Sequence, residues 1–294
     1  MKCTRPVHIY FNAQGEKISK NEYEHSAIFN GGFIKDVGCG KCLACRINRR
    51  REWTLRLCHE EVFSDTAFFI TLTYDNEHLP CAVDGYMMVS VRDVQLFFKR
   101  LRKACPGREI RYFLNSEYGS LGRPHYHALL FNAPEDLMFK DSKIIKRGRS
   151  TSFTSPWLAS IWQNGNVEFG IASKERAGYC AKYFIDRKDI PPEITPNFSV
   201  MSRNPGIGKA YMEKIRDKVR KTGVTGCMNA CGTYVKLPRY YQEKIFSDEE
   251  RRERLLEHAY ELPDEDYLIM LDNADLVEQN RLRALTWKGK KTKL

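Results

Sequence analysis

A chain of 294 residues with 42% hydrophobic content and a net charge of +11 has room for one large domain or a core with appendages. Its positive balance favours an acidic partner, most simply nucleic acid. No run of about 18 apolar residues is present, which excludes a transmembrane helix, and the opening MKCTRPVHIYF lacks an apolar signal segment, so secretion is not expected.

In chain order, residues 1–58 form a cysteine- and arginine-rich segment. Ten cysteines in a chain not expected to be secreted point to thiols or a metal site rather than a disulfide framework. Cys39, Cys42 and Cys45 stand in C-x2-C-x2-C spacing with Cys3 upstream, and four thiolates would close a tetrahedral structural Zn²⁺ site. Cys58 competes for the fourth position, and free thiols at the start of a helix are the alternative. Cys227 and Cys231 are background. Arg46, Arg49, Arg50, Arg51 and Arg56 follow the cluster. On a helix they would cover one broad side and could meet phosphates, unless they form a solvated face. Trp53 among them offers a stacking surface for an unpaired base.

Residues 59–190 read as the core. Strands are expected at 67–74 (AFFITLTY), 109–116 (EIRYFLNS), 124–131 (PHYHALLF) and 166–172 (NVEFGIA). Between the first two lies a helix, 90–104, whose Val94, Phe97, Phe98 and Leu101 share one face. A second helix begins at Ser155-Pro156, a cap followed by a first-turn proline, and a third spans 174–186. Strand, helix, strand, strand, helix, strand, helix is an α+β order. It is the ferredoxin-like or split βαβ arrangement with one added helix, in which the first and third strands are central in an antiparallel sheet. Residues 191–294 begin in a proline-rich linker, continue in charged helices with Ser247 and Glu250 at capping-box spacing, and end in a basic tail, KGKKTKL, expected to be disordered.

Side chains two apart on a strand share a face, so His125 and His127 project together, and a hairpin through the turn SLGR would bring Glu117 beside them. Two imidazoles and a carboxylate with open positions suit a divalent ion that also binds a substrate oxygen. A pair of structural histidines is the alternative. Tyr179 and Tyr183, four apart on the third helix, share a side roughly opposite the stripe of Ala177, Cys180, Ala181 and Phe184, with Lys182 and Asp186 flanking them. They could instead cover a second packed surface. Together these parts describe attack by a tyrosine hydroxyl on a metal-polarised phosphodiester, giving a covalent phosphotyrosine. PGIGKAY lacks the length and the Ser or Thr of a P-loop, so no ATP site is expected and Gly206 to Lys209 reads as a turn.

RPHYHALLF resembles the His-hydrophobic-His motif of the HUH endonucleases, and YCAKY resembles their Tyr-x-x-Lys-Tyr motif. FITLTYD is similar to the strand that opens their nuclease domain. With CGKCLACRINRRREW, the SEYG to RPHYH spacing and MSRNPGIG, the likeness is to the rolling-circle replication initiators of microviruses, most of all the gokushovirus branch, over residues 1 to about 215. The resemblance implies the split βαβ core and a nickase that cuts and rejoins single strands in the host bacterial cytoplasm. His125 and His127 would hold Mg²⁺ or Mn²⁺, Tyr179 and Tyr183 would be nucleophiles, and Lys182 would orient the phosphate. Glu117 as third ligand follows a position that varies among HUH enzymes. Partners would be origin DNA and a host helicase and polymerase, with no membrane and no ATP. The alternatives are a non-catalytic, zinc-stapled nucleic-acid-binding regulator, or an HUH transposase or relaxase.

Overall fold

The structure, a computed structural model, describes residues 1–81, 85–148, 151–181, 194–261 and 264–291. They group into two units, one of Met1–Arg51, Val219–Thr225 and Leu237–Leu294, the other of Glu52–Lys218 and Gly226–Lys236. In the first unit β1 (Val7–Phe11) lies between β2 (Lys17–Ile18) and β3 (Phe33–Val37), antiparallel to both. The sequence reading did not foresee this sheet, whose short strands carry little apolar alternation. The division at 58 and 191 is regrouped. Residue 58 falls inside the helix Leu43–Val62, and the C-terminal segment joins the N-terminal one through bonds such as Leu43 N–H to Glu278 and Arg5 to Asp275. The helix Ala274–Lys291 also continues through KGKK, so the basic tail is helical to Lys291 rather than disordered.

The second unit is built on β4 (Ala67–Tyr74), β5 (Arg111–Tyr118), β6 (Pro124–Phe131), β7 (Ile144–Lys146), β8 (Ser152–Thr154), β9 (Gly165–Ile171) and β10 (Ser199–Met201). Their order is β10-β5-β6-β4-β9-β8-β7, and every neighbouring pair is antiparallel. Of the four strands expected from sequence, the first and third, β4 and β6, are the inner pair. The three-residue strands β7, β8 and β10 widen the sheet at both edges and were not foreseen, being too short for a readable period.

The two faces differ because alternate residues differ. Phe68, Ile70, Leu72 and Tyr74 of β4 and Tyr126, Ala128 and Leu130 of β6 are buried with Val94, Phe97, Phe98 and Leu101 of the helix Val91–Ala104 and with Leu158, Ile161 and Trp162 of the helix Pro156–Trp162. Each large side chain buried there contributes about 1.5–3 kcal/mol, enough to fix both helices on this face. Ser90 and Ser155 cap them by accepting from Asp93 N–H and Leu158 N–H, each at 3.2 Å. On the opposite face Phe113, Leu129 and Phe131 bury against Leu57, Cys58, Ala177, Cys180 and Ile207. That face is apolar only toward one end. Along β6 it runs Phe131, Leu129, His127, His125; along β5 it runs Phe113, Asn115, Glu117. Helices cover the apolar half, and the polar half is left for chemistry.

At the base of this face a buried ion pair holds the turn that follows β10. Arg111 bonds Glu60 through Nε and donates to the carbonyls of Pro205 and Gly206 at 2.9 and 3.0 Å. Glu60 accepts from Gly208 N–H at 2.5 Å, and Arg56 donates to the Ile207 carbonyl at 3.1 Å. PGIG is thus a clamped turn. Replacing Arg111 by Met leaves a buried carboxylate without its cation, a change that typically costs about 3–5 kcal/mol. Urea unfolding should show that loss, and Arg111→Met with Glu60→Met should recover part of it. A loss below about 1 kcal/mol for the single variant would remove the clamp from the account of stability.

Candidate active site

The turn between β5 and β6 closes with Gly119 N–H donating to the Arg123 carbonyl at 2.9 Å and with Gly122 in the left-handed region at φ 75°, where glycine is favoured. That turn sets the register, pairing Glu117 with His125 and Asn115 with His127. Glu117 Oε2 lies 3.4 Å from His125 Nε2 and 3.5 Å from His127 Nε2, and the three ligand atoms fall within 4.8 Å of one another. Two ligand atoms about 2.1 Å from one ion in adjacent positions stand about 3.0–3.4 Å apart. An imidazole–imidazole–carboxylate set at this spacing therefore fits a divalent cation with little movement.

His127 is nearly buried, and burial first of all lowers its pKa, against the raising pull of Glu117. The neutral ring this favours is the ligating form. Its Nδ1 stands 3.1 Å from Thr71 Oγ1. With the proton on Nδ1, the threonine oxygen accepts and Nε2 offers its lone pair toward Glu117. Thr71 was missed by sequence reasoning. Its signal was present, since Thr71 and Thr73 are the polar members of the FITLTY alternation and pair with His127 and His125.

The helix Lys174–Cys180 brings Tyr179 to the same face. Ser173 caps its first turn by accepting from Arg176 N–H at 3.3 Å. Ala177, Cys180 and Ala181 are buried as the expected stripe, while Tyr179 remains 40% exposed. Asn115 Nδ2 donates to the Cys180 carbonyl at 2.6 Å and ties the helix to β5. The Tyr179 ring meets His127 edge-on, centroids 5.2 Å apart at 81°, and meets Phe69 at 5.9 Å. A phenol and two imidazoles thus converge on one solvent-accessible spot. Lys182 and Tyr183 lie outside the described residues.

Along the helix Leu43–Val62, Arg49 and Arg51 are exposed and Arg46 and Arg50 are half-buried. Two expectations there are corrected. The Trp53 ring is tilted onto Phe113 at 4.9 Å and carries the Arg56 guanidinium at 4.2 Å, so it is engaged in core packing rather than presented to a base. Arg56 is buried and serves the Ile207 carbonyl, not a phosphate. Cys58 belongs to the core beneath β5 and β6, whereas Cys3, Cys39, Cys42 and Cys45 gather with ligand atoms within 4.8 Å of one another. Burial opposes ionisation of Cys42, but hydrogen bonds from Cys45 and Thr4 outweigh it and bring that thiol to about 6; burial pushes Cys45 up to about 12.

Among the described residues no helix is long and apolar enough to cross a membrane. A family model for the replication-associated protein ORF2 matches residues 67–188, which contain β4 to β9 and the helix of Tyr179. The chain is similar to the replication-associated protein VP4 of Bdellovibrio phage phiMH2K, 32% identical over 256 residues that cover 83% of this chain and 76% of that protein. It is similar also to the replication-associated protein ORF2 of Spiroplasma virus 4, 28% identical over 262 residues covering 83% and 80%, and to ORF4 of Chlamydia phage 1, 26% identical over 157 residues covering 51% and 38%. No solved structure matches.

Proposed function

The chain belongs to the phage replication-associated proteins, and from that membership we propose that it initiates rolling-circle replication as an HUH-type, tyrosine-dependent nickase and strand transferase. The observation that carries this reading is Tyr179, half-exposed and edge-on to His127, beside a Glu-His-His set that fits a divalent cation.

His125, His127 and Glu117 would hold Mg²⁺ or Mn²⁺, which when bound supplies positive charge beside the scissile phosphate. A phenol has a pKa near 10 and is a weak nucleophile at neutral pH. Placed against that charge, Tyr179 can lose its proton to solvent. Its oxygen then attacks phosphorus, the bond from phosphorus to the 3′ oxygen breaks, and the leaving oxygen takes up a proton. The product is a 5′-phosphotyrosine and a free 3′ hydroxyl. One phosphodiester has replaced another, so the reverse attack rejoins strands without ATP. The exposed arginines Arg49 and Arg51, with Arg46 and Arg50, would meet the DNA backbone. Strand separation and synthesis would fall to a host helicase and polymerase.

The test is incubation of the purified chain and Mg²⁺ or Mn²⁺ with labelled single-stranded oligonucleotides tiled across the parent genome. A shifted band that survives denaturant is expected on the oligonucleotides that span one site. Binding with no adduct on any of them would replace this reading with the non-catalytic, zinc-stapled regulator.

A further inference from the structure

In the first unit the four clustered cysteines have no role in strand cutting. They are free thiols, and the Cys3 and Cys42 sulfurs are 3.6 Å apart. A disulfide would need about 2.05 Å. Around one tetrahedral ion with metal–sulfur bonds of about 2.3 Å, sulfurs stand about 3.8 Å apart, whereas an iron–sulfur cluster, with several irons inside, spreads its cysteines wider. The spacing is that of a single ion. Backbone donors already face the sulfurs. Arg5 N–H and Cys39 N–H each lie 3.4 Å from Cys3 Sγ, and Lys41 N–H and Cys42 N–H lie 3.4 and 3.3 Å from Cys39 Sγ. Such donors stabilise thiolates and orient them.

Directly beside two of these cysteines stands Glu278, from the helix Ala274–Lys291. Its Oε1 accepts from Leu43 N–H, the residue after Cys42, at 2.7 Å. Its Oε2 accepts from Thr4 Oγ1, the residue after Cys3, at 3.4 Å. One carboxylate therefore caps the arginine-bearing helix and grips the N-terminal strand at once. Arg5 to Asp275 at 2.7 Å and Arg281 to the Lys2 carbonyl at 3.3 Å line up along the same helix. Both grips of Glu278 need Cys3 and Cys42 held together.

We propose that Cys3, Cys39, Cys42 and Cys45 hold one structural Zn²⁺ ion, and that its binding docks the C-terminal helix Ala274–Lys291 onto the N-terminal segment through Glu278. The ion sets Thr4 and Leu43 at the separation that the carboxylate spans, so metal loading and helix docking are one event. This docking is independent of strand cutting.

The full chain, purified under reducing conditions, should carry about one zinc per chain by elemental analysis. Cobalt substitution should give a thiolate-to-cobalt absorption with tetrahedral d–d bands. Removing the ion with chelator and reductant should raise tryptic cleavage at Arg281 and Arg283 several-fold, and added Zn²⁺ should reverse it. Glu278→Gln should keep the zinc yet show the raised cleavage, while Cys42→Ser should lose the zinc. If Cys42→Ser is insoluble, the wild-type chelation and re-addition series decides. Wild type that neither contains nor takes up zinc or cobalt, iron in its place, or sulfurs found paired by thiol titration would overturn the site. Protection of Arg281 and Arg283 unchanged by zinc removal would overturn the docking.

Discussion

Tyr179→Phe and Tyr183→Phe are each expected to retain some oligonucleotide cleavage, while neither sustains repeated rounds of circle production. The double variant is expected to bind DNA but to lose covalent adduct by at least about 10³-fold, the scale on which loss of a nucleophile acts. The first cut leaves the 5′ phosphate on one tyrosine while the freed 3′ hydroxyl primes synthesis. When the origin is regenerated, a second cut is needed before the first bond is released. Residues four apart on a helix share a side, with Cβ atoms about 5–6 Å apart, so a second hydroxyl at that spacing serves the same phosphate without dissociation. The released 3′ hydroxyl then closes the circle by attacking the first phosphotyrosine, and the roles exchange. Gel analysis of adducts and circles from the three variants checks this. An adduct formed by the double variant would place the nucleophile elsewhere, and a single variant turning over many rounds like wild type would end the exchange model.

His127→Ala, or EDTA, should abolish cleavage while leaving most DNA binding, because binding rests on phosphate contacts away from the site. Mg²⁺ or Mn²⁺ should restore the chelated wild type and not the variant. Thr71→Val should act more gently. It removes the oxygen that fixes the His127 ring, a change that weakens metal binding by about 10–100-fold, and excess metal should compensate. Cleavage and filter binding measured across a metal titration separate these cases. His127→Ala that still cuts in EDTA would sink the site as drawn.

Much of the central unit was legible because its elements follow single, strong periods. The strands 67–74 and 124–131 appear with the expected bounds, and Val94, Phe97, Phe98 and Leu101 are all buried as the helical spacing required. The candidate site was legible in part. The histidine pair and the turn to Glu117 are local features, so alternation and hairpin closure reach them. Thr71 and Asn115 matter through cross-strand register, which no local pattern encodes. Trp53 was misread because an arginine-rich stretch looks solvated, yet its helix turns one side onto Phe113. Arg111 and Glu60 stand 51 residues apart, and nothing in either neighbourhood announces their pairing.

The Glu278 cap has a consequence for how the chain is made. Leu43 and the glutamate that satisfies its N–H are 235 residues apart. At about 5–20 residues per second, a ribosome needs about 12–47 s to travel from one to the other. Throughout that interval the front of the arginine-bearing helix is already translated while its partner carboxylate does not yet exist. Residues 52–218 are complete well before then, so the sheet with the histidines can fold on the ribosome while the unit containing residue 1 waits. A message truncated before codon 278 would yield a chain with every strand of the histidine sheet and an uncapped first long helix.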